Sequence, residues 1–203
     1  YKKAVDPNLK NYDENEITLT NLGICYKHLK EYETALKYFD RAIEILPEYT
    51  SAIGSKLETL GILGRFDELI STCNESLHKN SPKMEVEDII DFLERKRDAL
   101  FELDRLDDAL ECSNEILKID KSSHNVVWEG WILYELDRID EAKDCYEEAI
   151  KISPEMEESY RYMGWILMDK RDYPKAIEYF KKACDKTTEN ENVDEEDGII
   201  DTK

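Results

Sequence analysis

The side chains that could support chemistry in this 203-residue chain are few and widely spaced. Cys25 and His28 lie three residues apart, as two zinc ligands on one helical turn would. A tetrahedral zinc site needs two further ligands, and the other two histidines, His78 and His124, lie far away in the sequence. We therefore interpret Cys25 as a packed cysteine beside a polar histidine, and we predict no metal site.

The acidic residues give no catalytic arrangement. The run Asp194–Gly198 resembles part of a calcium loop, but Val193 stands at the first ligand position. Paired acids such as Asp107 and Asp108 fall on helices expected to face water, whereas acid–base catalysis needs a sheltered pair with shifted pKa values. The sequence contains no GxxxxGK[ST], GxGxxG or GxSxG motif. We predict that the chain is not an enzyme and binds no cofactor.

The net charge restricts the class of partner. The formal charge is −20, from 48 acidic and 28 basic residues, and only eight of the acids lie from Asp185 onward. Such a surface repels the phosphates of nucleic acids and anionic membranes. We expect a protein or peptide partner that is basic or neutral and carries apolar anchors.

Cysteine usage and hydropathy indicate the compartment. The five cysteines are far apart and none forms a CxxC pair, which is typical of a reduced chain. No apolar stretch approaches the roughly 20 residues of a membrane helix, and the first ten residues lack the apolar core of a secretory signal. We predict a cytoplasmic location.

A motif of seven residues recurs along the chain, and its spacing indicates the fold that positions these side chains. Its copies read LKEYETA, LGRFDEL, LDRLDDA and LDRIDEA, followed by the looser KRDYPKA. The apolar residues that mark the copies are Tyr32, Phe66, Leu106, Ile139 and Tyr173. They are separated by 34, 40, 33 and 34 residues, and a period in this range indicates a solenoid of stacked units.

Each unit has the pattern of two antiparallel helices. The first stripe, spaced i, i+3, i+4 and i+7, consists of Leu19, Leu22, Gly23 and Tyr26. The second, spaced i, i+4 and i+7, consists of Ala35, Phe39 and Ala42, and Pro47 ends that helix. Such a hairpin buries its stripes only by stacking on its neighbours, so the sequence predicts an all-α array of helical hairpins.

These stripes resemble the signature of the tetratricopeptide repeat family. Three units match it: Gly23, Ala35, Phe39, Ala42 and Pro47; Gly130, Ala142, Tyr146, Ala149 and Pro154; and Gly164, Ala176, Phe180 and Ala183, with Thr188 in place of the proline. Two units carry other residues at these positions: Leu57, Leu69, Cys73 and Ser76 in the second, and Arg97, Ala109, Ser113 and Ile116 in the third. The larger residues in these two units predict wider hairpins or shifted packing.

The resemblance covers residues 16–187 and implies a right-handed superhelical solenoid of about five antiparallel helical hairpins. Its units would begin near residues 16, 50, 90, 123 and 157, with an insertion near 80–88. At the start of the chain, the YKKA of Tyr1 to Ala4 repeats a second-helix spacing. We therefore expect residues 1–15 to hold the end of a truncated preceding repeat and a linker, so that the chain is a fragment of a longer array. Residues 188–203 are predicted to be an acidic, disordered tail.

In this family the first helices line a concave groove that commonly holds an extended peptide. The corresponding positions of the last two units hold Trp128, Trp131, Tyr134, Arg161, Tyr162, Trp165 and Met168, and those of the third unit hold Asp91, Glu94, Arg95 and Asp98. The 34-residue step predicts three rungs: Trp128 with Tyr162, Trp131 with Trp165, and Tyr134 with Met168. Two interpretations stay open, because these rings suit both packing between repeats and the anchoring of a partner.

Some members of the family grip an acidic chaperone C-terminus with a clamp of lysine, asparagine and arginine. Of the five clamp positions only Arg95 fits here; the other four hold Thr20, Ile24, Ser55 and Asp91. We predict that this clamp is absent and that the chain is a non-catalytic scaffold binding a peptide or protein segment in its groove. Two alternatives remain: a docking or regulatory arm of a larger enzyme or complex, and a self-assembling structural array.

Overall fold

The computed structural model describes the backbone of residues 15–196 and the side chains of residues 15–80 and 82–187. This part of the chain contains ten α-helices and no strand, which confirms the predicted all-α solenoid fold. The helices are α1 (Glu16–His28), α2 (Tyr32–Ile45), α3 (Thr50–Ile62), α4 (Phe66–Asn80), α5 (Val86–Glu102), α6 (Leu106–Ile119), α7 (Ser123–Glu135), α8 (Ile139–Ile152), α9 (Glu157–Asp169) and α10 (Tyr173–Glu196).

The odd-numbered helices are the first helices of the repeats, and the even-numbered ones are the second. Within a hairpin, α1 packs on α2, α7 on α8, and α9 on α10. The chain divides into two compact units, Tyr1–Arg95 and Lys96–Lys203. No helix in the described part of the chain is long and apolar enough to cross a membrane.

The turn inside each hairpin follows one backbone rule. One residue per turn has a positive φ between 56° and 67°, and these residues are Lys30, Gly64, Asp104, Asp137 and Arg171. The next N–H donates to the carbonyl five residues back, for example Arg138 N to Leu133 O at 2.9 Å. This bond satisfies a carbonyl that the end of the first helix would leave unpaired, and it reverses the chain within three residues.

The insertion predicted near residues 80–88 forms a short turn and lengthens a helix. A 3-10 turn, Ser81–Lys83, follows α4, and α5 begins at Val86, four residues before the predicted start of the third unit. Helix α5 therefore has 17 residues, compared with 13 in α3. The buried Asn80 fixes the insertion, because its Nδ2 donates to the carbonyl oxygen of Pro47 at 2.7 Å.

In the hairpins that match the signature, a glycine on the first helix makes room for the aromatic ring of the residue sixteen positions later. A Cβ atom on Gly23 would stand 2.4 Å from Phe39 Cε1, and one on Gly130 would stand 2.7 Å from Tyr146 Cε1. The units that depart from the signature reverse the sizes at these two positions, which hold Leu57 and Cys73 in one unit and Arg97 and Ser113 in the other, all four buried. Because a large residue on the first helix replaces the one lost from the second, the repeat register survives.

The two ends of the chain lie largely outside the described residues. Residues 1–14, where we expect the truncated repeat, and residues 197–203 are not among those described, so both expectations stay predictions there. The predicted tail begins at residue 188, but the backbone of α10 is helical to Glu196. A physical reason is that no proline or glycine interrupts it before Gly198.

Candidate functional site

Six aromatic side chains on α5, α7 and α9 lie together in the second unit. We call them the aromatic cluster: Phe101, Trp128, Trp131, Tyr134, Tyr162 and Trp165, all partly exposed. Trp131 is central, with ring centroids 5.1 Å from Tyr162 and 6.0 Å from both Trp165 and Tyr134. Offset and tilted pairs at such distances are favourable, so each ring helps to fix its neighbours.

The cluster contains the central predicted rung, Trp131 with Trp165, while its outer positions make other contacts. The ring of Trp128 meets Phe101 edge-on at 6.1 Å. Tyr134 donates its hydroxyl hydrogen to an Asp169 carboxylate oxygen. Met168, which precedes Asp169 in α9, is 45% exposed.

The cluster joins the core to the surface. Tyr162 stacks on the buried Tyr146 at 5.2 Å, and both Tyr134 and Tyr162 pack against the core of this unit. The six rings are nevertheless only partly buried, and none has the near-zero exposure of Tyr146. The rings therefore pack between first helices and also present faces to solvent, so both interpretations of the sequence stay open.

A cavity of about 380 Å³ opens beside the cluster, at the N-terminal ends of α7 and α9. Its lining residues are His124, Val127, Trp128, Trp131, Met156, Glu158, Arg161 and Tyr162. The volume lies within the roughly 300–1,000 Å³ usual for ligand sites. Aromatic and aliphatic walls with a few polar groups suit an apolar side chain that enters from solvent.

Two arginines lie against rings of the cluster. Arg97 is 2% exposed, its guanidinium carbon is 4.4 Å from the Trp128 ring centroid, and its Nε and Nη2 donate to Asp98 Oδ1 at 3.0 and 2.9 Å. Arg161 pairs with Glu157 at 2.8 Å and lies 5.4 Å from the Tyr162 ring centroid. A desolvated guanidinium on an aromatic face is worth about 2 kcal/mol, so Arg97 is well placed to orient Trp128.

The hydrogen bond at the other end of the cluster perturbs a phenol. Donation to Asp169, assisted by burial, raises the pKa of Tyr134 to about 12. Tyr134 is therefore a neutral donor at physiological pH, and its ring is held beside Trp131.

The acidic candidates of the third unit do not form one described surface. Asp91, Glu94 and Arg95 lie in the first unit, whereas Asp98 lies in the second. Arg95 Nε pairs with Asp91 Oδ2 at 2.9 Å, and Asp98 is engaged by Arg97. These internal ion pairs reduce the charge that Asp91 and Asp98 offer to a partner.

Sequence reasoning missed several residues of this site. Phe101 stands 33 residues before Tyr134, so the repeat step could have found it. Met156, just before α9, and Glu158, in its first turn, also line the cavity, and they carry no periodic signal.

The Cys25 and His28 pair has no metal-binding surroundings. Among the described residues, no group of three or more histidines, cysteines or acids could hold a metal ion. The interpretation of Cys25 as packed was wrong, because this side chain is exposed. It falls between the stripe positions Gly23 and Tyr26, on a side of α1 that faces water.

Parts of the sequence match known repeat proteins. Two family models described as tetratricopeptide repeat match residues 17–49 and 129–191. Anaphase-promoting complex subunit 6 of Dictyostelium discoideum is 36% identical over 62 residues, which are 30% of this chain and 7% of that protein. The chain thus matches only a small part of this curated relative.

Solved structures share the fold at low sequence identity. MamA from Desulfovibrio magneticus RS-1, from residue 41 to its end, superposes with a TM-score of 0.72 at 15% identity, covering 86% of this chain and 96% of that one. YrrB, described as a TPR protein with an unusual peptide-binding site, superposes with a TM-score of 0.64 at 19% identity, covering 84% of this chain and 86% of that one.

Proposed function

We propose that the aromatic cluster holds a peptide segment of a partner protein. The chain is a tetratricopeptide repeat protein of about five repeats, and this fold supports a role as a protein-interaction scaffold. In this proposal the chain performs no catalysis. The five thiols, none in a disulfide, further suggest to us that it works in the reducing cytoplasm.

One observation carries the proposal: six partly exposed aromatic rings, three of them on a cavity of about 380 Å³. Tryptophan, tyrosine and arginine dominate binding hot spots, and this surface offers all three. Rings already fixed by their neighbours lose little freedom on binding, which favours affinity. The peptide-binding site attributed to YrrB supports a peptide as the ligand class for this fold.

The partner that this surface favours is basic or neutral and carries apolar anchors. The chain has a net charge of −20, which attracts cationic segments and speeds their association. The same charge disfavours nucleic acid and anionic membrane surfaces.

A displayed random library of twelve-residue peptides tests the proposal. Wild type would be compared with Trp131→Ala/Trp165→Ala, and with Tyr173→Ala as a matched control, because Tyr173 is 55% exposed on α10 and outside the cluster. We expect enriched peptides to bind wild type and the control equally and the double variant at least about 30-fold more weakly, as hot-spot truncation implies. Circular dichroism must show equal helix content in all three proteins.

Either of two results would refute the peptide-binding proposal: no enrichment on wild type, or equal binding to the double variant. The second result would assign the rings to packing alone.

The alternative of a docking arm in a larger assembly has its own support. The matched relative is named as a subunit of the anaphase-promoting complex. For self-association, the apolar side chains of Tyr173 and Ile177 are more than half exposed on α10. Sedimentation equilibrium distinguishes that case, since a self-assembling array gains mass with concentration whereas a scaffold that binds peptides stays monomeric.

A further inference from the structure

Three successive first helices end on an acidic residue. Glu102 is the last residue of α5, Glu135 of α7 and Asp169 of α9. They occupy one repeat position, five residues after Arg97, Gly130 and Gly164. All three are exposed in the second unit, and we call them the acidic row.

The acidic row stands where an acid opposes helix stability. The C-terminal end of a helix carries partial negative charge, so a carboxylate there is unfavourable and a basic residue is favourable. The last turns of α5, α7 and α9 contain no basic residue, whereas α1 ends with Lys27 and His28. Each of these three helix ends therefore carries a carboxylate in addition to its own partial negative charge.

Three bases that follow the acidic row pair with other acids: Arg105 with Asp108, Arg138 with Glu141 and Lys170 with Asp140. Within residues 15–187, neither Glu102 nor Glu135 has an ion-pair partner, and Asp169 accepts a hydrogen bond from the neutral Tyr134. Among the described residues, no set of three or more histidines, cysteines or acidic residues could hold a metal ion. The complementary ligand is thus an extended organic cation, whose charge can lie among carboxylates on separate helices.

The aromatic cluster and the acidic row are joined by one contact, since Tyr134 of the cluster donates its hydroxyl hydrogen to Asp169 of the row. Tyr134 precedes Glu135, and Phe101 precedes Glu102, while Trp131 and Trp165 lie one turn earlier on α7 and α9. A lysine or arginine places its apolar stem on such rings and its charged head beyond them. At the opposite end of the cluster a cation already lies against these rings, because the guanidinium carbon of Arg161 is 5.9 Å from the Trp165 ring centroid.

We propose that the acidic row is a subsite for a lysine or arginine of the bound peptide, while the cavity at the other end of the cluster takes an apolar side chain. This rests on the proposed peptide-binding function. Trp128 at the cavity and Glu135 in the row are seven residues apart in α7, a rise of about 10 Å. An extended peptide covers that distance in about three residues, so the two anchors stand three positions apart.

The same twelve-residue library tests the subsite with two further variants. Glu102→Gln/Glu135→Gln/Asp169→Asn removes the acidic row. Glu111→Gln/Glu115→Gln/Asp144→Asn is the matched control, because it removes three exposed acids from the second helices α6 and α8. Both variants change the net charge equally.

We expect peptides enriched on wild type to carry lysine or arginine about three positions from an aliphatic or aromatic residue. In 50 mM NaCl, the row variant should weaken their binding about tenfold and the control less than about threefold, with the difference shrinking in 500 mM NaCl. The row variant should also melt at or above the wild-type temperature, which excludes unfolding as the cause.

Equal weakening by the two variants would overturn the subsite, since it would reflect only the general field of the protein. Enriched peptides without a basic residue would overturn it as well, while leaving peptide binding in place. Failure to enrich any peptide would instead remove the proposed function on which the subsite rests.

Discussion

Trp131 illustrates how a single residue can belong both to the packing of a repeat array and to its surface. It follows Gly130, which faces the interior of the hairpin, and it therefore points toward the neighbouring first helices. Its ring lies 6.0 Å from that of Trp165 and 6.5 Å from that of Phe101, so α5, α7 and α9 meet around it. One side chain thus fixes the spacing of three helices and presents a rigid face to solvent.

Gly130 is the residue whose substitution most directly tests the packing of the fourth hairpin. Gly130→Ala should lower the free energy of unfolding by about 1–3 kcal/mol, because the new Cβ would stand 2.7 Å from Tyr146 Cε1. Gly54→Ala is the control, since its Cβ would be 4.0 Å from Phe92 and the change favours helix by roughly 0.5–1 kcal/mol. Urea unfolding monitored by circular dichroism measures both. A Gly130→Ala protein as stable as wild type would contradict this account of the hairpin.

Substitutions of Arg97 and Ser113 test whether the large residue on α5 and the small residue on α6 share one space in the third hairpin. Arg97→Gly should destabilise by leaving a void and removing the cation from Trp128, and Ser113→Tyr should destabilise by overpacking. The double variant recreates the glycine and tyrosine pair found at Gly130 and Tyr146. We expect it to recover about 1–3 kcal/mol relative to the sum of the single effects, measured by urea unfolding in a double-mutant cycle. Additive losses would mean that the two positions do not share space.

At the level of elements, the sequence predicts the hairpins well because periodicity and turn chemistry agree. The positive-φ residues are separated by 34, 40, 33 and 34 residues, the same steps as the apolar markers. Each marker opens the second helix just after that turn, so the repeated motif locates the turn. The start of α5 at Val86 was not predictable, since the insertion offers both a turn and four residues that extend the helix.

The site was less predictable than the hairpins. The repeat step brings Trp131 and Trp165 to adjacent helices, but it does not specify rotamers, so it could not show that Trp128 meets Phe101. The cavity depends on Met156, which lies in the connection before α9 and has no counterpart in the helical pattern.

The hairpin turns give a test at the element scale. Lys30 has φ 61°, a conformation that costs a residue with a side chain about 1 kcal/mol, whereas Gly64 holds φ 67° without that cost. Lys30→Gly should therefore raise the free energy of unfolding by roughly 0.5–1 kcal/mol, and Gly64→Ala should lower it by a similar amount. Thermal melts followed at 222 nm compare the two. Changes of the same sign would show that side-chain contacts, rather than backbone conformation, control these turns.

At the scale of the whole molecule, the ion pairs among the described residues are mainly local and exposed. Arg138 with Glu141 and Lys175 with Asp172 are examples, and in each case the hydrogen bond from the base lowers the pKa of the carboxyl group. A lowered folded-state pKa adds stability above the unfolded value, and that stability is lost as the pH falls through the folded value. These pairs therefore contribute at neutral pH, but solvent screening keeps the contribution of each exposed pair small.

Against those pairs stands the mutual repulsion of a chain with a net charge of −20. Salt screens both the attraction within the ion pairs and the repulsion among the excess negative charges. The repulsion is spread over the whole surface and should outweigh a set of short-range pairs. We expect the melting temperature at pH 7 to rise by several degrees between 20 and 300 mM NaCl, given that about 1 kcal/mol shifts a domain of this size by roughly 2–4 °C. The Glu111→Gln/Glu115→Gln/Asp144→Asn variant has three fewer negative charges and should gain less from salt. A melting temperature that falls with salt would mean that the ion pairs outweigh the repulsion.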